Sequence, residues 1–153
     1  MGSLEQILPA LSSFLGGIKF LMVLMMLAGP LVMLYLGLKY YYKAPQEVDY
    51  EWGFRTYFAL TTPDIWSCTQ KIAGKTWMLL GGAMSVLALV MSVVLCFFSA
   101  RAVTVGAVWI VSIELLLTVV SWFVINTIIL KIYDKNGKRR TGADVRVHKF
   151  LKP

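Results

Sequence analysis

Thr76 to Ala100, TWMLLGGAMSVLALVMSVVLCFFSA, decides the fold: no charge falls between Lys75 and Arg101. A helix over that run is long enough to cross the hydrocarbon core of a bilayer, with Trp77 near its start. Within it Gly81, Ser85, Ala88, Ser92, Cys96 and Ser99 step by three or four, so they share one face where a second backbone can approach. A helix-packing seam is the plain reading of that face, and a substrate pathway the sharper one.

Working outward toward the C-terminus, Arg101-Ala102-Val103-Thr104 leaves too little chain for a loop. The second span, about 77–100, and the third, about 103–130, are therefore expected to form a tight antiparallel hairpin. One charge interrupts the third span, Glu114. Counting from the turn places it level with Ala88, near mid-bilayer, facing Ser85 to Ser92, with Thr118 and Ser121 continuing its face. An ionised carboxylate at that depth is expensive, so Glu114 is expected to be neutral, hydrogen-bonded or wetted. It reads either as a proton-sensitive or ligand-contacting group, or as a carboxyl that bonds helix to helix.

Toward the N-terminus, Phe20 to Leu38 gives 19 uncharged residues, about 29 Å of helix. Ala28-Gly29-Pro30 predicts a kink there, and Tyr40, Tyr41 and Tyr42 suit an interfacial aromatic belt. Before this span, Ser3 and Gln6 offer a capping box, and Leu4, Ile7, Leu8, Leu11, Phe14, Leu15 and Ile18 recur at helical spacing. This predicts an N-terminal amphipathic helix on the membrane surface or an extension of the first span, about 20–38. No signal-peptide or myristoylation pattern is present, so neither cleavage nor lipidation is expected.

Composition agrees with an all-α membrane protein of one domain, 1–153. Of 153 residues 58% are hydrophobic and 15% charged, with mean hydropathy +0.71, outside the soluble range. The net charge of +7 is concentrated beside the spans, which favours a role in topology over nucleic-acid binding. Lys131 to Pro153 forms a basic tail suited to anionic headgroups, with Lys138-Arg139-Arg140 after an Asn136-Gly137 turn. The loop 39–76 and the tail 131–153 together hold thirteen basic residues, against Lys19 and Arg101 on the other side. The positive-inside rule then puts loop and tail in the cytoplasm and the N-terminus outside a plasma membrane. Cys68 and Cys96, one in the loop and one deep in a span, read as free thiols.

Tyr50 to Lys75, YEWGFRTYFALTTPDIWSCTQKIAGK, concentrates the polar and aromatic groups. Thr61-Thr62-Pro63-Asp64 is a helix start, predicting a cytoplasmic interfacial helix over about 63–73 that stops at Gly74. Ile65, Trp66, Thr69 and Ala73 would face membrane or bundle, and Asp64, Ser67, Gln70 and Lys71 water or a ligand. Arg55 suits a lipid phosphate, or a carboxylate such as Asp49, Glu51 or Asp64. The plainer alternative is that Arg55 pairs internally and Trp66 only anchors a surface helix.

This stretch resembles the signature of the SdpI/YfhL family of bacterial membrane proteins: Gly53, Arg55, Thr56, Leu60, Trp66, Gly74 and Lys75 stand at matching positions. Asn126 and Tyr133 before a basic tail fit as well, so the match covers roughly Asp49 to Tyr133. Gln70 and Asp49 stand where the family commonly has Asn, and three spans replace the six of the founding immunity protein. The resemblance implies toxin immunity and membrane sequestration of a cognate repressor. The expected function is thus non-enzymatic: immunity to, or sensing of, a membrane-active peptide or lipid ligand. Asp49, Arg55, Thr56, Trp66, Gln70 and Lys75 are its candidate ligand- or lipid-binding residues, and Glu114, Ser85, Ser92 and Thr118 its intramembrane polar set. Expected partners are membrane lipids, a peptide toxin or regulatory protein, and a second copy of the chain; no catalytic residue, metal or cofactor is expected. One alternative is a small oligomeric transporter or channel subunit using Glu114. Another is a lipid-headgroup enzyme with Arg55 on phosphate, disfavoured because the lone histidine, His148, lies in the tail.

Overall fold

α1 runs without a break from Gly2 to Tyr42, α2 from Pro63 to Cys96 and α3 from Ala100 to Ile132. This computed structural model describes residues 2–44, 47–134 and 136–140, with side chains from residue 11 onward. The tail beyond residue 140, His148 included, and the side chains of the expected N-terminal amphipathic face before residue 11 lie outside the described residues. All three helices are long and apolar enough to cross a membrane. At 41, 34 and 33 residues they measure about 61, 51 and 50 Å, well beyond a hydrocarbon core of about 30 Å. Large apolar side chains such as Phe20, Val86, Trp109 and Leu115 stand exposed on their outer surfaces, as suits a lipid solvent rather than water.

One boundary differs from the sequence expectation, and a second is decided between its two readings. The segment 63–73 is the first three turns of α2 rather than a separate helix, and Gly74 lies inside it. The N-terminal segment is continuous with the first span, the second of its two expected readings; neither Pro9, Gly16-Gly17 nor Gly29-Pro30 interrupts α1. Thr62 caps α2 by accepting the Ile65 amide at 3.3 Å, with Pro63 at the first helical position and Asp64 in the first turn, so the start signal operates as expected.

Gly74 persists within α2 because its lack of a side chain serves packing. A β-carbon there would collide with the Tyr40–Tyr41 backbone, one at Gly37 with the Trp77–Met78 backbone, and one at Gly81 would fall 2.6 Å from the Leu34 amide nitrogen. Leu34 faces Gly81, Gly37 faces Met78 and Tyr41 faces Gly74: an antiparallel α1–α2 pair with backbones in contact. α1 and α2 consequently share the largest helix contact, whereas α2 and α3, joined by only Phe97 to Ser99, share the smallest. The small-residue seam at Gly81 therefore serves α1, not α3. Lys19 Nζ donates to the Phe98 carbonyl at 2.7 Å, so Gly2 to Ile18, about 25 Å of helix, projects past the α2–α3 turn.

At the opposite end a buried cluster joins Phe54 of the loop to Ile65, Cys68, Ile72 and Ala73 of α2, to Ile125, Ile129 and Ile132 of α3, and to Tyr133. Trp77 Nε1 donates to Ser121 Oγ at 3.1 Å, tying α2 to α3 just below it.

Candidate functional site

A glutamine of α2 bonds to the backbone of the loop 47–62. Gln70 is fully buried; its Oε1 accepts the Phe54 amide at 2.8 Å and its Nε2 donates to the Phe54 carbonyl at 3.0 Å. A side-chain amide thus pairs with both polar groups of one peptide residue as a neighbouring strand would. Gly53 packs against the Trp66 ring, with φ of 127°, and a β-carbon there would fall 2.6 Å from the indole. Only glycine meets both demands. Trp66 is fully buried and its Nε1 has no partner, so it supplies a surface to pack on. Thr56 is also buried and accepts the Ala59 amide at 3.1 Å, closing the next turn.

These contacts correct one expectation and decide another. Gln70, read as facing water or ligand, is internal, because the buried Phe54 backbone needs its amide. Trp66, read as facing membrane or bundle, is enclosed, so the plainer alternative of a surface anchor does not hold. Of the signature residues, Arg55 is the one left exposed. Its Nη1 donates to the Tyr50 carbonyl, not to one of the three carboxylates expected. Asp49 instead accepts the Glu51 and Trp52 amides at 2.7 and 3.2 Å, and these bonds hold its carboxyl below the usual range. Lys75 is half-buried one turn beyond Lys71 on α2.

A second contact ties the start of the tail to α2. The Gly137 amide donates to the Asp134 carbonyl at 2.9 Å and the Asp134 amide to the Lys138 carbonyl at 2.8 Å, so the chain reverses here. Gly137 has φ of 75°, and an antiparallel bridge pairs Tyr133 with Arg139. The buried Tyr133 directs its hydroxyl to Asp64 Oδ2 at 2.9 Å, and Arg139 Nε donates to the same hydroxyl at 3.2 Å. Arg139 Nε also lies 3.9 Å from Asp64 Oδ2. Burial pushes the Tyr133 phenol above its ordinary value. Sequence reasoning missed this triad, since Asp64 and Arg139 are 75 positions apart. The Asn136-Gly137 turn signal was the only clue that the tail folds back.

Beside the triad is an open cleft of about 560 Å³, lined by Tyr41, Tyr42 and Ala44 at the end of α1 and by Pro63, Asp64, Ser67 and Lys71 on α2. The three polar residues stand at i, i+3 and i+7, one face of the helix.

The intramembrane set is dispersed. Glu114 is buried, and its Oε2 lies 3.2 Å from where a Gly29 β-carbon would stand, so it faces α1 beside Pro30. Its Oε1 has no hydrogen-bond partner. Ser85, Ser92 and Thr118, the expected companions, donate to the carbonyls of Gly81, Ala88 and Glu114 at 2.7, 2.7 and 2.8 Å. A hydroxyl bonding within its own helix needs no interhelical acceptor. Among the described residues no group of His, Cys, Asp and Glu could hold a metal, and Cys68 and Cys96 are free thiols. Comparison with known proteins finds no matching family, no matching curated protein and no matching solved structure.

Proposed function

We propose that this chain is a non-enzymatic multi-pass membrane protein of the SdpI-like kind, which gives immunity to, or senses, a membrane-active peptide or lipid ligand. The loop and tail face the cytoplasm and the N-terminus the outside, following the distribution of Lys and Arg. One observation carries the reading: Gly53, Thr56 and Trp66, three of the residues behind the resemblance, lock the loop into a fixed cap, beside an open cleft of polar and aromatic groups. A rigid cap presents Arg55 and the cleft in a defined geometry, which a recognition surface requires.

The test is expression in a bacterial host sensitive to membrane-active peptides. The wild-type chain is expected to raise survival against at least one peptide, and Gly53→Leu to abolish that gain. Equal sensitivity of expressing and non-expressing cells to every peptide would sink the reading.

A second reading, a small transporter or channel subunit, is favoured by Glu114, buried without a partner for Oε1. Intramembrane carboxyls of this kind line ion or proton paths. Three helices enclose little space, so this function requires an oligomer. A monomer in mild detergent, or unchanged function of Glu114→Gln across pH, counts against it.

A further inference from the structure

In the cleft, Ser67 Oγ donates to the Asp64 carbonyl at 3.1 Å, which leaves its oxygen able to accept from a ligand hydroxyl. Lys71 is exposed at one end and Asp64 at the other, with Ser67 between them. Facing them, Tyr41 and Tyr42 form an edge-to-face pair with centroids 5.1 Å apart. Both described side-chain contacts to Asp64, from Tyr133 and Arg139, fall on Oδ2, and the carboxylate is otherwise largely exposed.

Depth adds a second constraint. The uncharged run of α2 begins at Thr76. Lys71 lies five residues above it, about 7 Å, and Asp64 twelve above it, about 18 Å. The polar zone of one leaflet is only about 6–7 Å thick. Lys71 therefore stands at phosphate level, while Asp64 stands beyond it, reachable only by a headgroup that extends outward from the phosphate.

Charge decides what that headgroup carries. Arg139 already supplies a cation 3.9 Å from Asp64 Oδ2, so an ammonium group would meet repulsion there. Neutral hydroxyls can donate to Oδ1 without it, and a ring of hydroxylated carbons can lie on a tyrosine face.

We infer that the cleft binds a lipid phosphate esterified to a polyol or sugar: phosphate on Lys71, hydroxyls on Asp64 and Ser67, and ring carbons against Tyr41 and Tyr42. This rests on the proposed reading of the chain as a ligand-binding membrane protein and names the ligand class.

The test uses purified full-length protein in maltoside micelles, titrated calorimetrically with dioctanoyl phosphatidylinositol, dioctanoyl phosphatidic acid, dioctanoyl phosphatidylcholine and chain-free glycerophosphoinositol. The inositol lipid is expected to bind roughly tenfold more tightly than each of the other three. Lys71→Ala is expected to weaken it roughly tenfold by removing the phosphate contact. Asp64→Asn and Tyr42→Ala should each weaken the inositol lipid while leaving phosphatidic acid unchanged. Tyr42 is largely exposed, so its variant keeps the test valid if Asp64→Asn fails to fold. Equal binding of phosphatidic acid and the inositol lipid would overturn the headgroup assignment. Equal binding of glycerophosphoinositol would overturn the lipid source. Neither result touches the survival assay, so failure of this inference and failure of the proposed function remain separable.

Discussion

Gln70 ties the loop to α2 through both polar groups of one buried residue. It satisfies the amide and the carbonyl of Phe54 at once, and Phe54 is itself buried against Trp77, ring centroids 5.4 Å apart. Gln70→Ala leaves two buried backbone groups unpaired and is expected to cost about 2–4 kcal/mol; thermal unfolding in micelles would measure it. Gln70→Glu keeps an acceptor and, while protonated, an O–H donor for the Phe54 carbonyl, so it should cost less than Gln70→Ala at low pH, the gap closing as pH rises and the carboxyl loses that donor and becomes a buried charge. Tyr133 gives a second handle. Its phenol is raised above the ordinary 10.0, so the neutral form is the one the fold favours. The stability it contributes is fully present below about pH 10 and is lost as pH rises beyond it. Unfolding followed from pH 8 to 11 should show that loss in the wild type and a flatter profile in Tyr133→Phe, which at pH 8 is less stable by about 1–2 kcal/mol through loss of the bond to Asp64.

At the level of elements, glycine sets how the helices pair. Gly37, Gly74 and Gly81 bring the α1 and α2 backbones together, and the contact explains why a helix that could have stopped at Gly74 continues to Cys96. Gly81→Leu forces the pair apart, because the Leu34 backbone cannot move as a side-chain tip can. A loss of at least about 1–3 kcal/mol, the usual cost of overpacking, is expected in micelles. Gly82→Leu is the control: the nearest atom to a β-carbon there is the tip of Leu34 at 3.9 Å, so it should change stability little. Equal damage from both would show that the apposed backbone is not what matters.

Across the whole molecule, the described ends of the chain divide between two sides. The tail start packs on the beginning of α2 through Tyr133, Asp64 and Arg139, while α1 projects past the α2–α3 turn. Loop and tail start therefore lie together whichever way the protein is inserted. The proposed orientation predicts that Tyr57→Cys, at an exposed loop site, resists a membrane-impermeant maleimide in intact cells and reacts after lysis, in a Cys96→Ala background. Labelling before lysis would reverse the orientation.

Read by itself, the sequence determined the all-helical class and the number of membrane-length helices, but not that 63–73 belongs to α2. Three long apolar runs, two of them uncharged and the third broken only by Glu114, admit few soluble alternatives, and the Thr-Pro-Asp start of α2 and the Asn-Gly turn are local signals that act within a few residues. What it could not decide was rotation and partnership. Glu114, Ser85 and Ser92 lie near one level in the second and third spans, and helical spacing allowed them to meet. Only the tertiary structure turns Glu114 to Gly29 and returns the serine hydroxyls to their own helices. Gln70 and Lys71 are adjacent polar residues with equal claims on solvent in sequence. One is buried and the other exposed because the Phe54 backbone, sixteen positions before Gln70, arrives on one side of α2 and not the other. Hydrophobic length is a property of a segment, whereas which polar group is enclosed depends on what distant chain packs over it.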